Sequence, residues 1–173
     1  MKRISELIGA SFLMAVGGLA LAQTTPDPAI VTLEVLDSTG ASVGQFDLYR
    51  HAMRTKVAQI ATSVSLYTPE DQTDILVFFP SGELYFPSSD CTGQAYVRKS
   101  QELGWRPSVT MQTKSGKWRL YVAADPVFAQ LPMASMLRGP NSCSPYRPRS
   151  DWFSPALDPV NLENKFSGPF TLR

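Results

Sequence analysis

Apolar and polar residues alternate with a period of two near the start of the chain, which is typical of half-buried β-strands. In VTLEVL (31–36), Val31, Leu33 and Val35 share one face, and Thr32 and Glu34 lie on the other. A Thr-Gly turn signal follows at 39–40, and VGQFDLY (43–49) resumes the alternation. These two runs predict an opening β-hairpin.

Two more hairpins are predicted in the middle of the chain. The first joins DILVFF (74–79) to LYF (84–86) through the turn PSGE, and the second joins SVTMQT (108–113) to WRLYVA (118–123) through KSGK. In the last of these runs Trp118, Leu120 and Val122 share one face, which predicts a core face and a solvated face that includes Tyr121. Between the hairpins, GQAYVRK (93–99) predicts a short strand.

Two segments carry mixed signals. In residues 53–68, Met53, Val57, Ile60 and Val64 have helical spacing, but the run is rich in β-branched residues, which lose χ1 freedom in a helix. We therefore favour a strand from about Val57 onward. VFAQLPMASML (127–137) predicts a weaker strand, interrupted by Pro132 and placed at a sheet edge.

The C-terminal part of the chain is rich in proline. Proline and the residue before it both disfavour helix, so residues 140–173 are predicted to form an irregular, extended tail packed on the domain. The closing run GPFTLR (168–173) predicts an edge strand. Together with the hairpins, this pattern predicts an all-β fold over residues 23–173, a single antiparallel domain that is a sandwich or an open barrel.

The N-terminus has the pattern of a secretory signal peptide over residues 1–22. A basic start (Lys2, Arg3) precedes an apolar run at 7–22 that ends in Ala-Leu-Ala, a small-x-small cleavage pattern. The alternative is an uncleaved anchor, but the run is shorter than the ~20 residues that a spanning helix needs. We therefore expect cleavage before Gln23, no membrane insertion afterwards, and a bacterial protein exported to the periplasm or the medium.

The charge of the mature chain limits the classes of partner. Removing residues 1–22 leaves fourteen basic and fourteen acidic residues, so the net charge is zero with histidine neutral. Proteins that bind duplex nucleic acid carry a basic surplus, so no nucleic-acid partner is expected. No motif indicates a cofactor. The partner is not identified by the sequence, and a protein partner is the class that stays open.

The two cysteines, Cys91 and Cys143, allow three interpretations. A cysteine nucleophile needs a nearby base, and His51, the only histidine, is not brought to Cys91 by any local motif. A zinc site needs more ligands at shorter spacings. In an oxidising compartment two cysteines usually pair, and closing this loop would stabilise the fold by roughly 4 kcal/mol. We favour a Cys91–Cys143 disulfide.

Carboxylates provide the main enzymatic hypothesis. The loop TPEDQTD (68–74) concentrates Glu70, Asp71 and Asp74, whose oxygens suit calcium or glycoside chemistry. With Asp90 or His51 they could serve a small secreted hydrolase or a metal-dependent enzyme. The loop lacks the glycine and the spacing of a calcium-binding loop, and Thr-Pro-Glu-Asp also begins ordinary turns, so we favour the turn.

The segment YRPRSDWF (146–153) is the candidate interaction surface. Tyr146, Arg147, Arg149 and Trp152 have a composition that is enriched at protein interfaces. The alternative is that the segment packs its aromatic side chains onto the sheet.

Several motifs together resemble a group of uncharacterised exported bacterial proteins. They are GELYFPSSDCTGQAYV (82–97), a second cysteine in NSCS, the closing PALDPVNLENKFSGPFTLR (155–173), and an N-terminal VLDSTGASVG hairpin (35–44). The region between Phe46 and Asp74 and the YRPRSDWF segment depart from the group's pattern. The resemblance implies an exported β-rich module with a disulfide, and it implies no activity.

The function that these features favour is an exported non-enzymatic binding or structural module. It predicts no cleft with converging titratable groups. The enzymatic alternative predicts that at least two of the candidate carboxylates and His51 meet around a pocket.

Thiol labelling tests the predicted disulfide. In the mature protein, unfolded without a reducing agent, neither Cys91 nor Cys143 should react with a maleimide, and both should react after reduction. Labelling of both cysteines before reduction would contradict the pairing.

Overall fold

A computed structural model of the chain describes residues 33–72, 74–100, 104–147 and 150–173. The predicted signal peptide at 1–22, the first two residues of the first predicted strand and Arg149 lie outside these ranges. Within them, no helix has the length and apolar character needed to span a bilayer.

The described residues are almost entirely strands and loops, which confirms the all-β prediction. The elements are β1 (Leu33–Leu36), β2 (Ser42–Asp47), β3 (Ala52–Val57), β4 (Ile60–Tyr67), β5 (Val77–Phe78), β6 (Leu84–Phe86), β7 (Tyr96–Arg98), β8 (Ser108–Gln112), β9 (Trp118–Val122), β10 (Ser135–Leu137), β11 (Cys143–Pro145), β12 (Phe153–Pro155), β13 (Val160–Asn161), α1 (Leu162–Lys165) and β14 (Thr171–Leu172). The strand pairs within each sheet are antiparallel.

The first sheet has the strand order β14-β1-β2-β3-β4-β5 and curls into a half-barrel. The C-terminal residues contact both of its ends. β14 pairs with β1 at one end, as predicted for an edge strand. At the other end the backbone of Phe170, directly before β14, exchanges hydrogen bonds of 2.7 and 2.9 Å with Leu76, directly before β5. The last four residues therefore draw the two ends of the sheet together.

Residues 53–68 form a hairpin and not a helix. β3 and β4 pair along six positions, and Ala58 and Gln59 between them both have positive φ, 50° and 67°. Two consecutive residues with positive φ make the two-residue turn whose twist matches that of the flanking strands. The strand predicted from Val57 onward is confirmed from Ile60. The turn was not predicted because Ala-Gln lacks the Asn-Gly or Gly signal that normally marks it.

The predicted β8–β9 hairpin is confirmed, but both of its faces are covered. Leu120 and Val122 enter the core of the curled sheet. Tyr121 and Ala123, on the opposite face of the same strand, pack in a second core against the five-stranded sheet. The prediction of a solvated face that includes Tyr121 was therefore wrong, because a second layer lies on that side.

The five-stranded sheet has the order β11-β10-β6-β7-β12. The predicted hairpin of DILVFF with LYF is wrong, because β5 pairs with β4 in the first sheet and β6 pairs with β7 and β10 here. Leu84 and Phe86 enter the second core, whereas Tyr85 enters a third core on the other face. β6 is therefore buried on both faces and lies between two partners, β7 and β10.

β10 was predicted at an edge, but it lies between β6 and β11. Pro132 does not interrupt this strand, since the strand begins at Ser135. The prediction failed because the proline precedes the ladder and removes no donor from it.

The proline-rich segment 140–173 is more regular than predicted. It contributes the helix α1 and the strands β11, β12, β13 and β14, and these strands pair with β10, β7, β9 and β1, respectively. Its apolar side chains are among the most buried in the described residues: Phe153, Leu162, Phe166 and Phe170. Those of its prolines that the structure describes lie at strand ends and between elements, so the described part of the segment stays extended but completes the sheets.

The Cys91–Cys143 disulfide is confirmed, with Cα atoms 5.9 Å apart. It joins the β6–β7 loop to the edge strand β11, and it is consistent with an oxidising, exported location. Gly93 has φ 85°, as expected of a turn glycine. Asp90 accepts hydrogen bonds from the backbone amide and the hydroxyl of Thr92, at 3.2 and 2.7 Å.

Replacing Phe170 tests the closure of the curled sheet. Phe170 is 0% exposed, so Phe170→Ala should lower the free energy of unfolding by about 3–5 kcal/mol through lost burial and the cavity left behind. Leu172→Ala, two residues on and 37% exposed, is the matched control and should cost about 1 kcal/mol or less. Urea denaturation measures both. If both variants lost the same free energy of unfolding, the C-terminus would not close the sheet.

A candidate arginine–tyrosine pocket

The candidate site lies on the outer face of the five-stranded sheet. Alternation along β6 sends Leu84 and Phe86 inward to the second core, so Tyr85 and the preceding Glu83 lie on the other face. The pocket formed there has a volume of about 370 Å³. We call it the arginine–tyrosine pocket, and its lining residues are Glu83, Tyr85, Arg98, Met136, Arg138, Pro145, Tyr146, Arg147 and Asp151.

The floor of the pocket is an aromatic cluster. The ring of Tyr85, which is 1% exposed, lies 5.0 Å from that of Tyr146 and 4.9 Å from that of Phe153, measured between centroids. Tyr146 and Phe153 approach within 6.1 Å at nearly right angles. Edge-to-face pairs of this kind add about 0.5–1.5 kcal/mol each beyond their burial. For these two residues, the YRPRSDWF segment does pack its aromatic side chains onto the sheet.

One side of the pocket is a tyrosine–carboxylate–arginine chain. The Tyr85 hydroxyl donates to Oε2 of Glu83 at 2.5 Å, and Nε of Arg138 donates to Oε1 at 2.8 Å. The bond from Tyr85, followed by that from Arg138, lowers the pKa of Glu83. Burial, followed by the bond to Glu83, raises the pKa of Tyr85 above its usual value. The carboxylate therefore stays charged and the phenol stays protonated across the neutral range.

The opposite side repeats this combination of groups. The Tyr146 hydroxyl donates to Oδ2 of Asp151, and Nη1 of Arg98 lies 4.0 Å from the same oxygen. The guanidinium carbon of Arg98 is also 5.7 Å from the centre of the Tyr85 ring, a cation–π distance. Arg98 thus links the aromatic floor to the second carboxylate.

Arg147 completes the wall. Its side chain is exposed, and within the ranges that the structure describes it has no hydrogen-bond or ion-pair partner. Counted over the residues that the structure describes, the pocket therefore holds three guanidinium groups against two carboxylates, an excess of one positive charge.

The binding-module hypothesis predicted no cleft with converging titratable groups, and that expectation was wrong, because this pocket brings tyrosines, carboxylates and arginines together. The arrangement nevertheless suits binding better than acid–base catalysis. A general acid or base works best with a pKa near the working pH, and the resolved shifts move the pKa values of Glu83 and Tyr85 away from neutrality. Both carboxylates already accept hydrogen bonds from tyrosines. The groups left to meet a ligand are guanidinium N–H donors, which recognise oxyanions.

The residues of the enzymatic hypothesis lie on separate loops. His51 is in the β2–β3 turn with its ring 6.4 Å from that of Phe46, and Asp90 is in the disulfide loop. Glu70, Asp71 and Asp74 are exposed between β4 and β5. In five pockets formed by the described residues, no pocket is lined by two of these five side chains. No group of three or more histidine, cysteine or acidic residues in those ranges could hold a metal ion.

Only part of the predicted interaction surface lies in the pocket. Tyr146 and Arg147 line the pocket together with Asp151, whereas Trp152 does not. Trp152 is 46% exposed, and the Lys99 ammonium lies 6.0 Å from its ring. Arg149, the fourth predicted residue, is not described.

Five charged or tyrosine residues of the pocket were missed from the sequence: Glu83, Tyr85, Arg98, Arg138 and Asp151, of which Asp151 lies within the predicted segment 146–153. A partial signal was present, because Glu83 and Tyr85 are two residues apart in a strand and so share a face. Arg98 and Arg138 join them only through the pairing of β6 with β7 and β10, which the sequence pattern does not contain.

The chain matches no protein-family model, no curated protein and no solved structure. Its function is therefore inferred from the geometry of the pocket.

The pH dependence of the free energy of unfolding tests whether Glu83 is charged in the folded protein. Its folded-state pKa is below the ordinary value of 4.5, so the stabilisation it provides is fully present above that pH and is lost as the pH falls through the folded pKa. Glu83→Gln should cost about 1 kcal/mol at pH 7, and the deficit should narrow as the pH falls below 4.5. Urea unfolding at several pH values measures this, with Glu70→Gln in an exposed loop as the control for removing one negative charge. A deficit independent of pH would show that the charge of Glu83 contributes nothing.

Proposed function

We propose that the protein is an exported bacterial binding module, not an enzyme, and that the arginine–tyrosine pocket is its binding site. The observation that carries this proposal is the charge arrangement. Three arginines surround two carboxylates that tyrosines already hold, and Arg147 has no side-chain partner among the described residues. Such a pocket presents donors to an anionic group without presenting a free base.

The proposal includes export of the mature protein from the bacterial cytoplasm. The signal-peptide pattern at 1–22 and the paired cysteines support a mature protein in the periplasm or the medium. The resemblance to exported β-rich bacterial proteins agrees with this location. In that compartment the partner is a small molecule, or an exposed group of another exported protein, that carries negative charge.

The hydrolase alternative draws on Glu70, Asp71, Asp74, Asp90 and His51. It needs two of these side chains to converge on one pocket, and the described pockets contain no such pair. No observation of the structure favours it over binding.

A ligand screen by thermal shift tests the binding proposal. A ligand present at 100 times its Kd stabilises the folded state by about 2.7 kcal/mol, a shift of several degrees in Tm for a chain of this size. We expect anionic hits whose shifts disappear in Arg98→Gln/Arg147→Gln and persist in Lys117→Gln/Arg119→Gln, a control pair outside the pocket.

Two outcomes would contradict the proposal. Hits with equal shifts in both double variants would place binding elsewhere on the protein. Hits that mass spectrometry recovers chemically altered after incubation would make the protein an enzyme.

A further inference from the structure

We infer that the ligand of the arginine–tyrosine pocket is a carboxylate monoanion attached to an apolar or aromatic group. This inference rests on the proposed function and specifies its ligand class. Three features of the pocket carry it: the charge balance, the unused N–H donors, and the apolar part of the wall.

The charge balance favours a single negative charge. Among the described lining residues, Arg98, Arg138 and Arg147 stand against Glu83 and Asp151, which leaves one positive charge uncompensated. A carboxylate monoanion makes the filled pocket neutral. A phosphate dianion would leave it negative, beside two carboxylates that would repel the added charge. A neutral ligand would leave the excess guanidinium without a counter-charge.

The donors of the arginines are only partly used. Arg138 directs Nε to Glu83 and Nη2 to the sulfur of Met136, a weak acceptor at 3.8 Å, so Nη1 has no acceptor among the described residues. Arg98 reaches Asp151 only at 4.0 Å, beyond hydrogen-bond distance. The paired arginines are half exposed or more, 49% for Arg98 and 58% for Arg138, whereas the carboxylates that they contact are about a quarter exposed. The guanidinium groups therefore lie nearer to solvent than the acids, where an incoming carboxylate can reach them.

The rest of the wall is apolar and suits an organic group beside the carboxylate. Met136 and Pro145 line the pocket without offering a charged group, and the rings of Tyr85 and Tyr146 form its floor. The volume of about 370 Å³ lies at the lower end of the range for small-molecule sites, about 300–1,000 Å³. It fits an aromatic or aliphatic acid, or the last residue of a peptide with its chain-terminal carboxylate.

Isothermal titration calorimetry of the exported protein, with its disulfide intact, tests the ligand class. The probes are benzoate, its neutral isostere benzamide, and phenyl phosphate. We expect benzoate to bind at least tenfold more tightly than either of the others. Arg147→Gln should weaken benzoate binding about tenfold, since a hydrogen bond to a charged group is lost. Arg147→Lys should recover part of the affinity, and Arg119→Gln, a half-buried arginine outside the pocket, should change nothing.

A pair of peptides distinguishes the two sources of a carboxylate. The peptide Ala-Ala-Phe is titrated with a free C-terminus and with an amidated one. If the free peptide binds as tightly as benzoate and amidation weakens its binding tenfold, the inference is supported and the ligand is a peptide C-terminus. Benzoate binding without peptide binding supports it with a small free acid.

Three results would overturn the inference. The first is phenyl phosphate or benzamide binding as tightly as benzoate. The second is no binding by any probe. The third is benzoate binding that Arg147→Gln leaves unchanged. The proposed function is judged separately, because it survives if the thermal-shift screen finds another ligand whose effect depends on Arg98 and Arg147.

Discussion

The double-sided burial of two strands, β9 and β6, is the constraint on which the rest of the structure depends. Successive side chains of a strand point to opposite faces, so a strand with large apolar or aromatic residues on both faces needs a core on each side. β9 gives Leu120 and Val122 to the core of the curled sheet and Tyr121 to the second core. β6 gives Leu84 and Phe86 to that second core and Tyr85 to the third. Three layers follow from these two strands, and so does the position of the pocket.

The pocket forms because polar and charged residues lie on the outer face of the five-stranded sheet. Tyr85 is too large and too polar at its tip to be buried without a partner, and Glu83 on the same face accepts its hydroxyl proton in a hydrogen bond. That carboxylate in turn needs a cation, which Arg138 supplies. Tyr146, Asp151 and Arg98 repeat the arrangement on the other side. Two such sets leave the acids satisfied and the guanidinium groups facing outward, which is why the site suits binding of an anion.

The disulfide connects the fold to the pocket. β11 is an edge strand held by β10 alone within the sheet, and the chain that leaves it forms one wall of the pocket through Pro145, Tyr146 and Arg147. Cys143 in β11 ties this wall to the β6–β7 loop through Cys91. A short edge strand gains little from its own hydrogen bonds, so a covalent link is an effective way to hold this wall of the pocket in place.

The sequence by itself determined the strand content, the β1–β2 and β8–β9 hairpins, the closing edge strand and the cysteine pair, because these follow from period-two alternation, local turn residues and the chemistry of two cysteines. It also pointed to Tyr146 and Arg147 by composition. Only the tertiary structure decided that DILVFF and LYF belong to different sheets, that the β3–β4 turn forms on Ala58 and Gln59, and that the proline-rich segment completes all three sheets. It also brought Glu83, Tyr85, Arg98 and Arg138 to one pocket. Alternation shows that a strand has two faces, but which strands meet across those faces depends on long-range pairing that no local pattern contains.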